Sequence, residues 1–173
     1  MKKLLIPLIF LSLQSFCQDN KTTMLKYPNS TGDIDFDSTL DRKDFQLCGK
    51  GYGYQYFNDG KGVLYEGEKK AIEQSFKEKY KSQNASKQTG LIRIRFVVNC
   101  KGETDRFRLI GTDENYQEKT FDKSITEQLL TIAKELKGWK PKAFQSKTEI
   151  LAYDFYQYLI FKIKDGKITE ILP

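Results

Sequence analysis

Residues 90–102 constrain the fold of this chain more than any other stretch. Four apolar residues at alternate positions share one face of a strand: Ile92, Ile94, Phe96 and Val98. Residues 99–102 (Asn-Cys-Lys-Gly) then predict a hairpin turn, because the closing glycine can take a positive φ. Phe107 and Leu109 continue the apolar face if the turn holds one extra residue. The stretch therefore predicts a β-hairpin with one buried face.

Two amphipathic helices flank this hairpin. Residues 68–81 place Ile72, Phe76 and Tyr80 at four-residue intervals, which is typical of a helix that buries one stripe. Residues 121–137 carry a second stripe, with Asp122 as a candidate N-cap and Gly138 as a terminator. The second stripe consists of Ile125, Leu129, Ile132 and Leu136. Both helices are expected to pack on a sheet.

The last part of the chain predicts two more strands. Residues 153–164 form a long aromatic run, and residues 164–167 (Lys-Asp-Gly-Lys) indicate a turn into a short final strand over residues 168–172. The predicted fold class is α+β: an antiparallel sheet made of a β-hairpin, a long strand and a short final strand, with the helices packed on one face.

This order of hairpin, helix and strand, with Trp139, Lys140 and Pro141 directly after the second helix, resembles the C-terminal domain of TonB and its relatives in Gram-negative bacteria. The resemblance covers residues 66–161 and implies this fold and a periplasmic protein-binding role. The family usually has Tyr-Pro where this chain has Tyr80 and Lys81, and a glycine-containing turn where it has residues 144–147 (Phe-Gln-Ser-Lys).

An energy transducer of that family needs a permanent inner-membrane helix and a long proline-rich linker. This chain has four prolines, and its apolar run over residues 4–13 is far shorter than the roughly 18 residues of a membrane span. The resemblance therefore implies the terminal domain without energy transduction.

Residues 1–17 have the pattern of a secretory signal peptide. Lys2 and Lys3 precede the apolar run, and residues 15–17 (Ser-Phe-Cys) predict cleavage between Cys17 and Gln18. Lipidation of Cys17 stays open as an alternative, although Phe16 is bulkier than the residue usually found before a lipidated cysteine. We expect a periplasmic or secreted protein with a lipid-anchored form as the alternative.

The mature chain is predicted to hold an N-terminal extension with a Gly/Tyr-rich lead-in over residues 18–66 and the α+β domain over residues 67–173. Removing Lys2 and Lys3 leaves 27 basic against 23 acidic residues, a net charge of +4 that favours solubility. No helix carries a Lys/Arg stripe of the kind that reads a groove, so no nucleic-acid partner is expected. No permanent membrane span is expected either, and the sequence indicates no oligomeric state.

Cleavage leaves two cysteines, Cys48 and Cys100. In an oxidising compartment such a pair favours a structural disulfide, and its spacing excludes a Cys-x-x-Cys redox motif. The alternative is two free, buried thiols. No metal site or cofactor is expected, because the chain contains no histidine and only these two sulfur ligands.

An acidic stretch over residues 33–44 has some features of a calcium loop. Its aspartates fall at places 1, 3, 5, 9 and 12: Asp33, Asp35, Asp37, Asp41 and Asp44. Ser38 stands at place 6, where the sharp turn requires glycine, so a solvated acidic segment is favoured. Residues 49–53 (Gly-Lys-Gly-Tyr-Gly) lack the Lys-Ser or Lys-Thr pair of a phosphate-binding loop.

Enzymatic chemistry finds little support in the sequence. Without histidine there is no Ser-His or Cys-His relay, and no Gly-x-Ser-x-Gly elbow is present. A carboxylate pair acting on a sugar stays open, because the sequence does not fix the distances between carboxylates. We expect a non-enzymatic protein.

Six side chains form a candidate binding surface, which we call the arginine face. They are Arg93, Arg95, Arg106, Arg108, Tyr156 and Tyr158. The arginines alternate with predicted core residues and should project from the sheet face opposite the helices. Arginine beside tyrosine is typical of protein-binding surfaces. The alternative is that Asp105, Asp154 or the N-terminal segment covers and neutralises the arginines.

These patterns predict a module that binds an envelope protein or peptide, with an unpaired sheet edge offering main-chain groups for strand addition. The alternative is a secreted or lipid-anchored envelope protein that binds a small ligand or a cell-wall fragment.

Overall fold

The computed structural model describes residues 34–48, 63–82, 87–145 and 150–172, which contain two helices and six strands. The helices are α1 (Glu68–Lys79) and α2 (Lys123–Glu135). The strands are β1 (Gly90–Val98), β2 (Thr104–Thr112), β3 (Lys142–Gln145), β4 (Ile150–Tyr153), β5 (Phe155–Lys164) and β6 (Lys167–Leu172).

Four strands form an open antiparallel sheet in the order β2-β1-β5-β6. The predicted α+β class is confirmed. A second, two-stranded sheet of β3 and β4 was not predicted. The aromatic strand that was predicted to begin at residue 153 begins at Phe155, because Asp154 separates β4 from β5.

The β1–β2 hairpin forms as predicted, but its extra residue lies elsewhere. Gly102 closes the turn at φ 78, and a Cβ at that position would lie 2.4 Å from the Trp139 carbonyl oxygen. The extra residue is not in the turn: the register shifts between Arg95 and Val97, and Arg106 takes φ 57 in β2. This β-bulge returns Phe107 to the buried face.

The main core lies between one face of the sheet and the two helices. The Phe96 ring stacks on Phe107 at 4.9 Å between centroids, and Trp139 meets Phe96 edge-on at 5.2 Å. The largest fully buried side chains of this core are Phe76, Phe96, Phe155, Phe161, Ile72, Ile92, Ile94, Ile125, Leu129, Leu159 and Ile163. The predicted helix stripes therefore face the sheet.

The second helix ends two residues earlier than predicted, and for a different reason. Leu136 already has an extended backbone, so Gly138 does not cap the helix. The glycine is required by packing instead, because a Cβ there would lie 2.8 Å from the Tyr65 ring. At the other end Asp122 occupies the N-cap position without a capping bond from its side chain.

Residues 34–48, which we call the strap, lie against the sheet face opposite the helices. Ile34 joins Val97 and Tyr156 in a small apolar cluster separate from the main core. The predicted disulfide between Cys48 and Cys100 is present, with a Cα–Cα distance of 5.8 Å, and it ties the end of the strap to the β1–β2 turn. Both faces of the sheet are therefore at least partly covered.

Several predictions fall outside the described residues. These are the signal peptide over residues 1–17, the extension over residues 20–31, the Gly-Lys-Gly-Tyr-Gly run at residues 49–53 and most of the lead-in hairpin. Among the helices that the structure describes, none has the length and apolar character needed to cross a membrane.

Replacing Phe107 with alanine should lower the free energy of unfolding by about 3–5 kcal/mol, because it removes a ring stacked in the main core. Urea denaturation followed by circular dichroism measures this loss. The matched control is Tyr116→Phe at a 77% exposed aromatic residue, which should change stability by no more than about 0.5 kcal/mol. An equal, small effect of both variants would place Phe107 outside the core.

Candidate functional site

The structure brings the six residues of the arginine face together. Arg95 lies beside Tyr158 of β5 and Arg108 of β2 in the strand register, and its guanidinium lies 4.2 Å from the centre of the Tyr156 ring. Because paired residues of antiparallel strands share a face, these side chains lie opposite the helices. Arg93 follows on the same face between Ile110 and Ile160.

The strap occupies part of this face through main-chain hydrogen bonds. The Ile34 amide donates to the Tyr156 hydroxyl at 3.0 Å, and the Arg106 guanidinium donates to the Ile34 carbonyl at 2.9 Å. Arg108 donates to the Asp35 carbonyl at 2.8 Å. Three of the six predicted side chains thus bind the backbone of the chain's own N-terminal segment.

A buried ion pair fixes the middle of the strap. Both terminal nitrogens of Arg108 donate to the two carboxylate oxygens of Asp41, each at 2.7 Å. The side chains are only 4% and 1% exposed. This bidentate geometry is the strongest arrangement available to an arginine and a carboxylate, and neither group keeps contact with water.

The pairing with Arg108 also affects the pKa of Asp41. Burial on its own would raise the pKa, but the hydrogen bonds from Arg108 and the Asp37 amide, with the charges of Arg108 and Arg106, bring the pKa below its ordinary value of 3.8. Asp41 is therefore ionised at neutral pH.

Asp105 on β2 binds the part of the strap that directly follows Asp41. Its carboxylate accepts the Arg42 amide at 2.9 Å. Burial raises the pKa of Asp105, and the nearby charge of Asp41 adds to that rise, while amide hydrogen bonds from Arg42 and Arg106 oppose it. Burial also lowers the pKa of Arg93, with Tyr158 acting in the opposite direction.

A buried carboxylate binds the end of the strap beside the disulfide. Asp154 is fully buried, and it accepts the Cys48 amide at 2.8 Å and the Cys100 amide at 3.2 Å. The Asn99 side chain adds a bond to the Gln46 carbonyl at 3.1 Å. Of the covers that the sequence left open, the N-terminal segment is the one that binds the arginine side chains, while Asp105 and Asp154 accept main-chain amides. Partner binding by the arginine face stays a prediction.

The acidic stretch has a structural use that sequence reasoning missed. Asp41 binds Arg108, and the Asp37 carboxylate accepts the Thr39 amide at 2.9 Å within its own turn. Two of the candidate calcium ligands are thus engaged within the protein. The signal that could have revealed this was complementarity between the aspartates of residues 33–44 and the four arginines of the sheet.

Within the described parts of the chain, one group of three residues has metal-ligating atoms close together: Cys48, Cys100 and Asp154. Its two sulfurs are joined in the disulfide, so they are not thiolate ligands. The group is better understood as an anchor of the strap than as a metal centre.

A second surface, which we call the edge groove, lies between α1 and β6. It encloses about 420 Å³, with Phe76 and Ile171 among its lining residues and Glu73, Lys77, Lys167 and Glu170 as its charged ones. Tyr80 closes one end through a hydrogen bond of 2.9 Å from its hydroxyl to the Gly166 carbonyl, and burial raises the pKa of this tyrosine.

The two edges of the sheet differ in how open they are. At β2, Thr112 bridges to Glu118, the Lys119 amide donates to the Gly111 carbonyl at 2.9 Å, and the bulge at Arg106 distorts the edge. At β6, the described residues include no strand that pairs with the outer side. The pairing of β5 with β6 also contains a register shift, between Lys162 and Ile163, so the two edges differ in the partial pairing of β2 and not in having a bulge.

No protein-family model, no curated protein and no solved structure matches this chain. The arginine face and the edge groove are the two candidate binding surfaces of the described residues.

Asp41 and Asp105 predict opposite contributions to acid stability. The folded pKa of Asp41 lies below 3.8, so its contribution is present above pH 3.8 and is lost as the pH falls through the folded pKa. The folded pKa of Asp105 lies above 3.8, so its ionisation costs stability above that folded pKa, and the cost disappears as the pH falls toward 3.8.

Urea unfolding of Asp41→Asn and Asp105→Asn across the acidic range measures both contributions. Asp41→Asn should lose about 1–3 kcal/mol at neutral pH, because Arg108 loses its charged partner, and the gap to the unchanged protein should close in acid. The free energy of unfolding of Asp105→Asn, relative to that of the unchanged protein, should increase as the pH rises. Stability curves that stay parallel across the range would contradict the proposed pairing.

Proposed function

We propose that this chain is an exported, non-enzymatic module that binds an extended segment of an envelope protein by adding it as a strand to β6. The observation that carries the proposal is an outer strand edge beside the edge groove. An unpaired edge supplies main-chain donors and acceptors, and a neighbouring groove receives alternate side chains of the added strand.

The dimensions of the edge define the segment that fits. β6 has six residues, so at roughly 3.3 Å per residue it can pair with a segment of comparable length. Alternate side chains of that segment would face the helix side, where the partly buried Tyr80 and Ile168 offer apolar contact. The others would face away from α1. Main-chain bonds would supply affinity, and the groove would supply specificity.

The charges of the groove add a second level of selection. Lys77 and Lys167 stand with Glu73 and Glu170 among the lining residues, so the rim is mixed in sign. Such a rim disfavours a segment that carries a single run of like charges, because part of the rim would repel it. We expect an apolar segment with isolated charges of both signs.

The resemblance to the TonB C-terminal domain supports the same proposal through the order of helix, hairpin, helix and strand. Export is supported by the signal-peptide pattern of residues 1–17 and by the disulfide, which suits an oxidising compartment. The absence of histidine supports a role without acid–base catalysis by that side chain.

Site-specific photo-crosslinking tests the proposal in the exported protein. p-Benzoylphenylalanine at Thr169, an exposed position of β6, should yield an adduct with a protein of the envelope. The matched control places the same group at Lys123. This residue lines a different groove, at the β2 edge, where no adduct should form. Adducts at Lys123 alone, or adducts with cell-wall fragments at Thr169, would contradict the proposal.

The crosslinked sequence then permits a test of strand addition itself. Synthetic peptides of that sequence are methylated on alternate backbone nitrogens, in two complementary sets. An added strand directs every second amide to β6, so one set should lose binding at least about tenfold and the other should keep it. Equal effects of both sets would show that the segment binds in another way.

A further inference from the structure

The strap is attached to the domain by polar and covalent links more than by apolar burial. Of its apolar side chains, Ile34 is buried and Phe45 and Leu47 are partly buried, whereas Phe36 and Leu40 are each 52% exposed. None of these side chains belongs to the main core on the other face of the sheet. The strap can therefore leave without opening that core.

The buried ion pair does not oppose such a release as strongly as its burial suggests. Arg108 is kept from water by the strap that carries Asp41. When the strap leaves, both charges regain water together, so neither is left buried and unpaired. The Cys48–Cys100 disulfide adds to the ion pair, because it keeps the strap close to its site and so favours rebinding.

We propose that this disulfide is a redox latch: its reduction frees the strap and exposes the arginine face as a binding surface for an acidic segment of another protein. The proposal does not depend on strand addition at β6. The strap itself shows what the face recognises, since a carboxylate binds Arg108, two backbone carbonyls accept from Arg106 and Arg108, and a backbone amide binds Tyr156.

The redox step requires a dithiol reductant. One of its thiolates attacks the sulfur of Cys48, which is the more exposed cysteine, and Cys100 leaves as a thiolate that takes up a proton. The second thiol of the reductant then displaces Cys48 from the mixed disulfide. The reductant loses two electrons and becomes a cyclic disulfide, and the protein gains two thiols.

Asp154 lies within reach of this exchange. Its carboxylate and both cysteine sulfurs lie within 4.8 Å of one another. Because the amides of both cysteines already donate to Asp154, they cannot stabilise the departing thiolate, which slows reduction and keeps the latch closed under ordinary oxidising conditions. The amides of Cys48 and Cys100 donate to the same carboxylate, and water can replace the Cys48 bond after release.

Hydrogen exchange of the full chain, with and without dithiothreitol, tests the latch. After reduction, amides of residues 34–48 should exchange at least about tenfold faster, while those of β1 and β5 keep their protection. A Cys48→Ser/Cys100→Ser variant should behave like the reduced protein without any reductant. A strap that stays protected in both cases, or loss of protection in β1 and β5 together with the strap, would overturn the proposal.

A labelled peptide of residues 34–47 tests the binding surface. The receptor is the full chain carrying Asp41→Asn, whose own strap competes less well. Reduced receptor should bind this peptide at least about tenfold more tightly than a peptide with asparagine at position 41, and oxidised receptor should bind neither well. Equal affinity for the two peptides, or equal binding by reduced and oxidised receptor, would overturn the assignment of an acidic ligand.

Discussion

The central strand β1 has neighbours on both sides and on both faces, and the rest of the structure depends on how its two faces are covered. Ile92, Ile94 and Phe96 face the helices, which bury them by apolar contact. Arg93 and Arg95 face the other way, where apolar cover alone would leave charges without partners. Arg108 of the neighbouring strand β2 lies on the same second face, and the strap provides its carboxylate and carbonyl partners through Asp41 and Asp35.

Features that depend on residues close together in the sequence could be predicted. The alternation in residues 92–98, the helix stripes and the Asp165-Gly166 turn each depend on neighbours a few residues apart, and the structure contains all of them. The Cys48–Cys100 disulfide could also be predicted, because only two cysteines remain after the predicted cleavage. The arginine face followed from the same alternation that predicted the core.

Features that depend on distant pairing could not be predicted. Arg108 and Asp41 are 67 residues apart, and nothing local to either residue indicates the other. The acidic stretch was therefore interpreted as solvated. The bulge at Arg106 escaped prediction because an arginine, rather than a glycine, takes the positive φ. The β3–β4 pair was missed because no strand was predicted between the second helix and residue 153, and the break at Asp154 lay inside the predicted long strand.

The central claim is that the Arg108–Asp41 pair stabilises the strap on the sheet while the Cys48–Cys100 disulfide keeps the strap close to it. A double-mutant cycle of Asp41→Asn and Arg108→Gln, with strap opening measured by native-state hydrogen exchange at residues 34–42, tests it most directly. The two changes should be strongly coupled, by about 1.5–3 kcal/mol, because either one alone removes the pair. Effects that add to within about 0.5 kcal/mol would contradict the claim.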